Sequence, residues 1–120
     1  MDREFAQQFA KEWLDAWNTH DLDRILSHYT EDFELTSLVI TKITGEGSGK
    51  LKGKDAIGAY WAKALALNPN LNFKLIDVYT GVDSAVLAYE GHRGKSCEAF
   101  HFREDGLVYK SFAHYEQAVE

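Results

Sequence analysis

A chain of 120 residues, 45% of them hydrophobic, is long enough for one buried core and too short for two, so a single domain over residues 1–120 is expected. A net charge of −6 argues against nucleic acid or an anionic membrane as partner, and a lone cysteine, Cys97, excludes an internal disulfide framework. Seven Phe, six Tyr and three Trp must fill a core or line a concave pocket.

The chain opens directly on an amphipathic pattern. Phe5, Phe9, Trp13 and Trp17 recur every fourth residue with Ala6, Ala10 and Leu14 beside them, the stripe of a helix packed on a core, and Asp2 can cap its start. With no charged and apolar leader and no long apolar run, the expected compartment is the cytoplasm. Asn18-Thr19-His20 breaks the pattern. Asp21 then caps a shorter helix with Leu22, Ile25, Leu26 and Tyr29 on one side, Thr30-Glu31-Asp32 ends it, and Phe33 to Ile40 reads as a short strand.

Residues 44–54 hold four of the nine glycines but no phosphate loop: Thr44 stands where the first Gly of that motif belongs, and Leu51 replaces the hydroxyl that would hold magnesium. No Gly-x-Gly-x-x-Gly register exists either. Lys50, Lys52 and Lys54 read as a solvated face, and the segment from Ser37 to Lys54 as a mobile loop able to close over a pocket. From Asp55 a third helix places Ile57, Tyr60, Trp61, Ala64 and Leu65 on one face until Asn68-Pro69-Asn70 stops it. The remainder reads as a four-stranded antiparallel meander: Asn72 to Thr80, Ala85 to His92, a tight turn at Arg93-Gly94, and a hairpin from Ser96 to Tyr115 turning at Glu104-Asp105-Gly106. Helices followed by a meander make an α+β arrangement, with a curved sheet wrapped on three helices and a pocket at the open end.

Side chains alternate across a strand, so Ser96, Glu98 and Phe100 share a face with Tyr109, Ser111, Ala113 and Tyr115. Glu98 is then a lone carboxyl in an aromatic row, where desolvation raises its pKa and suits it to act as acid, base or hydrogen-bond donor. The plainer alternative is a carboxylate at the pocket mouth, touching water or a tyrosine hydroxyl. Trp17 and Tyr60 read as core filling. Cys97, His101 and His114 fall on the opposite face, and His28 reads as structural at a helix end. His20, His28, His92, His101 and His114 never pair at i, i+3 or i+4, so neither a metal nor a cofactor is expected.

WLDAWNTHDLDRILSHYTEDFEL, LKGKDAIGAYW and the closing EAFHFREDGLVYKSFAHY resemble the nuclear transport factor 2-like superfamily, in particular its SnoaL-like bacterial members, over nearly the whole chain. The resemblance implies an NTF2-like cone, with a curved antiparallel sheet and three helices around a deep apolar pocket. It also implies a homodimer through the outer sheet face, which would show Val108, Lys110, Phe112 and His114. That superfamily holds isomerases, dehydratases, polyketide cyclases, epoxide hydrolases and non-catalytic domains. Beside its ketosteroid isomerase branch, Glu98 matches the strand position of the hydrogen-bond-donating acid, kept protonated there in an apolar site. Trp13 falls where that branch has a tyrosine donor, and Ser37 replaces its general base. The ligand-lining set this implies, joined with the strand parity, is Trp13, Tyr29, Ser37, Trp61, Tyr89, Phe100, Ser111 and Tyr115. The expected ligand is a small, largely apolar, cyclic or aromatic molecule. Cofactor-free isomerisation, cyclisation or dehydration through Glu98 stands beside the alternative of a non-catalytic binding domain.

Overall fold

The computed structural model describes residues 1–120. Helix α1, Arg3–Asn18, starts where the Asp2 carboxylate accepts the Glu4 N–H at 3.3 Å, and it buries Phe9, Trp13 and Trp17 against the sheet. Helix α2, Leu22–Leu26, is capped by Asp21, which accepts the Arg24 N–H at 3.2 Å. It is shorter than its apolar spacing suggests. Tyr29, read as its last inward residue, instead opens strand β1, Tyr29–Thr36, and Thr30-Glu31-Asp32 belong to that strand. The backbone there is claimed by a neighbouring strand, starting with the Val108 N–H donated to the His28 carbonyl at 2.9 Å.

The Gly-rich region is more ordered than its composition suggests. Val39 and Ile40 lie in helix α3, Leu38–Thr44, and not in a strand; Ser37 caps its start by accepting the Val39 N–H at 3.2 Å, and Gly45 ends it at φ 81°. Strand β2, Lys50–Lys52, then pairs antiparallel with β1. Helix α4, Lys54–Leu67, buries Ile57, Tyr60 and Trp61, giving four helices where three were expected. No helix is long and apolar enough to cross a membrane.

The meander follows as β3, Lys74–Thr80, β4, Ser84–Gly91, β5, Gly94–Phe102, and β6, Val108–Tyr115. The sheet order is β2-β1-β6-β5-β4-β3, antiparallel throughout except where β1 runs parallel to β6. A bulge corrects the parity near the hairpin turn. His101 pairs with Lys110 but Phe102 pairs with Val108, so Tyr109 is the extra residue and the strand's faces exchange there. Val108 is therefore fully buried and not on the outer face, while Tyr109 sits outside, 6.3 Å from the His101 ring. Beyond the bulge the expected alternation holds: Ser111 is buried, and Ala113 and Tyr115 line the concave side.

Candidate functional site

Glu98 lies at the middle of the sheet, between Leu87 on β4 and Ala113 on β6, and its alternation turns the carboxyl inward until 5% of the residue stays exposed. Tyr89, on β4, donates its hydroxyl to Glu98 Oε1 at 3.1 Å. Burial raises the Glu98 carboxyl from 4.5 to about 7, against the opposing pull of the Tyr89 hydrogen bond. Burial, and then the charge of Glu98, likewise push Tyr29 and Tyr89 well above the ordinary phenol range. At neutral pH the two protonation states of Glu98 are thus comparably populated, which suits both proton donation and proton acceptance.

A second polar pair lies nearer the mouth. Ser37 Oγ, besides capping α3, shares a hydrogen bond of 2.8 Å with the Tyr115 hydroxyl. Burial raises Tyr115 to about 12, partly offset by that bond, and raises Tyr60 further. Deeper in, the Trp13 indole N–H donates to the Tyr29 hydroxyl at 2.9 Å.

Six of the expected site residues, Trp13, Ser37, Trp61, Tyr89, Glu98 and Tyr115, do line one cavity. Tyr29, Phe100 and Ser111 do not: they are 1%, 0% and 1% exposed and lie behind its wall. Tyr29 packs on Phe33 and Trp61, and Phe100 is wedged between Phe9 and Trp13 with centroids at 5.0 and 5.2 Å. Ser111 Oγ is buried without a hydrogen-bond partner. Conversely, Trp17 and Tyr60 belong to the cavity wall as well as the core. Trp17 could have been found, because it follows Trp13 by one helical turn. Val39 and Ile43 could not, since the helix that carries them was read as strand and loop. Phe73, His92 and Arg93 also line the cavity, and no motif marks them.

Phe73 is held by the hairpin end. A Cβ at Gly91 would stand 2.6 Å from Phe73 Cδ1, so only a glycine allows the ring to lie against the strand. Gly91→Ala is expected to lower stability by about 1–3 kcal/mol through this overpacking, measured by urea unfolding; an unchanged midpoint would show that Phe73 moves freely.

The cavity together with its mouth has about 690 Å³ of open volume. Thirteen of its 21 lining residues are hydrophobic, and Glu98 is its only carboxyl. No three His, Cys, Asp or Glu side chains cluster so as to hold a metal ion. Such a site can enclose a compact ring compound in an apolar wall and present it with one titratable acid and several phenol and indole donors.

A sequence profile of the SnoaL-like domain matches residues 10–111. The chain belongs to the SnoaL-like family. Among solved structures, a SnoaL-like protein of unknown function from Burkholderia thailandensis is 50% identical, with a TM-score of 0.93 over 97% of this chain and 98% of that one. The fold recurs at low identity. An NTF2-like protein of unknown function from Cytophaga hutchinsonii is 11% identical, with a TM-score of 0.70 over 92% and 89% of the two chains. TerC, crystallised with polyporic acid, is 15% identical, with a TM-score of 0.73 over 93% and 92%. Among curated proteins none matches the sequence. The expected NTF2-like cone is therefore the fold of this SnoaL-like chain, with an open six-stranded sheet and four helices.

Proposed function

We propose that this SnoaL-like protein binds a small, largely apolar cyclic or aromatic molecule in its cavity, and that Glu98 carries out cofactor-free proton transfer on it. The observation that carries this reading is a carboxyl almost wholly removed from water, hydrogen-bonded by Tyr89 and raised to about 7, among the walls of an apolar cavity. An acid so placed can protonate one atom of a bound ring and accept a proton from another. Isomerisation, cyclisation and dehydration each include such a proton exchange. The mostly apolar lining favours a compact ring compound. The relative TerC, crystallised with polyporic acid, supports an organic ligand for this architecture.

Glu98→Gln tests it. The amide keeps size and the acceptor for Tyr89 but cannot exchange protons, so turnover of a substrate found by screening cyclic carbonyl compounds is expected to fall by roughly 10²-fold. Unchanged turnover would remove Glu98 from the chemistry.

A non-catalytic binding domain is the second reading, favoured by Ser37. That residue stands where the isomerase resemblance expects a general base, and its hydroxyl is engaged by the Val39 N–H and Tyr115. A ligand carried through purification and released unchanged supports this alternative; turnover excludes it. Either reading is compatible with a homodimer through the outer sheet face. There Tyr79, Val86, Ala99 and Phe112 are successive cross-strand partners, forming an apolar row across β3, β4, β5 and β6.

A further inference from the structure

The cavity carries one permanent cation, and it is at the mouth. Arg93 sits in the two-residue turn between β4 and β5, where Gly91 pairs with Gly94 and the His92 ring stacks on Phe73 at 6.4 Å and 14°. Gly94 at φ 79° closes the turn. The turn is thereby pressed against the cavity wall, and the half-buried Arg93 lines the opening. None of the five ion pairs in the protein includes Arg93, and its guanidinium donates no hydrogen bond to another residue. Its charge nonetheless reaches the Tyr60 and Tyr115 phenols, the same hydroxyl cluster that surrounds Ser37. The molecule as a whole, at net charge −6, repels anions. An arginine without a protein partner, facing an apolar cavity in an acidic protein, is an anchor for an anion.

Resting on the reading of the cavity as a binding site for a ring compound, we infer that the ligand is a ring carboxylate, with its carboxylate on the Arg93 guanidinium and its ring directed inward toward Glu98. The planar fork of a guanidinium matches a carboxylate by two parallel hydrogen bonds. A phosphate fits less well. It carries up to two charges against a single cation, and neither a glycine-rich nest nor a second arginine lines the opening. The two ends of the cavity thus have opposite tasks: the mouth selects and orients by charge, and the interior holds the ring against the acid.

The test compares 2-naphthoate, 2-naphthamide and 2-naphthyl phosphate by calorimetric titration against the parent protein, Arg93→Gln and Arg93→Lys. Circular dichroism serves as the check on folding. In the parent, the carboxylate is expected to bind roughly tenfold tighter than the amide, a preference that shrinks with added salt. Arg93→Gln is expected to erase the preference while leaving amide binding within about twofold, and Arg93→Lys to restore part of it. An amide bound as tightly as the carboxylate, a preference that survives in Arg93→Gln, or a phosphate bound more tightly than the carboxylate would overturn the inference while leaving the ring-binding cavity intact. Binding of none of the three would overturn the cavity reading and this inference with it.

Discussion

Glu98→Gln will be more stable than the parent protein by about 3 kcal/mol at pH 8 and nearly equal to it at pH 4. The Glu98 carboxyl is carried from 4.5 to about 7 on folding, so the folded state holds its proton more tightly than the unfolded state. A group raised in this way contributes stability that is complete below 4.5 and is lost as pH rises through about 7. At about 1.4 kcal/mol per pH unit between those values, the loss amounts to about 3 kcal/mol above pH 7. Glutamine resembles the protonated acid, still accepts from Tyr89, and does not ionise. Urea unfolding of both proteins from pH 4 to pH 8 should give curves that diverge steadily above pH 5. Parallel curves would mean that the carboxylate is hydrated in the fold and that its proposed chemistry loses its physical basis. This slope is the thermodynamic cost of keeping an acid ready inside an apolar cavity.

Trp13→Ala should destabilise the protein by about 3–5 kcal/mol, a large share of the total for a domain of this size. The Trp13 ring meets Trp17, Phe73, Tyr89 and Phe100 at centroid distances from 5.2 to 6.1 Å, and it separates the cavity from the deep core. Alanine would leave a void that these rings cannot all collapse into. Trp13→Phe separates the two contributions. It retains most of the packing and deprives the buried Tyr29 hydroxyl of its donor, for an expected loss of about 1–3 kcal/mol. A negligible effect of the phenylalanine would show that water from the cavity reaches Tyr29 instead.

What could be read from the sequence was whatever depended on local periodicity. Phe9, Trp13 and Trp17 fix the inner face of α1, and Ser96, Glu98 and Phe100 the inner face of β5, because neither run contains an irregularity. The errors have equally local causes. Tyr29 continues the spacing of Leu22, Ile25 and Leu26, yet its backbone is taken by β6, far away in the chain. Val39 and Ile40 are β-branched and sit beside a Gly-rich run, which outweighed two signals of a helix, Ser37 before it and Gly45 after it. Val108 was assigned the wrong face because the Tyr109 bulge shifts parity by one residue without any glycine to mark it. In the site, Glu98 was legible as the odd residue in an apolar row. Arg93 was not, because a turn residue has no periodicity, and only the way β4 and β5 curl over Phe73 brings it to the opening.

The last strand of the chain is also an inner strand of the sheet: β6 has β1 on one side and β5 on the other. During synthesis the helices and the β1–β2 pair therefore emerge before the strand that links them to the meander, and β3 to β5 can pair with one another before it. The halves already meet where α1 packs on the meander, as in the Asn18–Phe73 and Arg3–Val78 hydrogen bonds; β6 completes the sheet between them, and the Ser37–Tyr115 hydrogen bond it allows spans 78 residues. Joining parts so distant in sequence is slow, and until then β1 and β5 each present an open edge to other chains. The cavity, whose walls come from both halves, is complete only once β6 has brought Ala113 and Tyr115 to it.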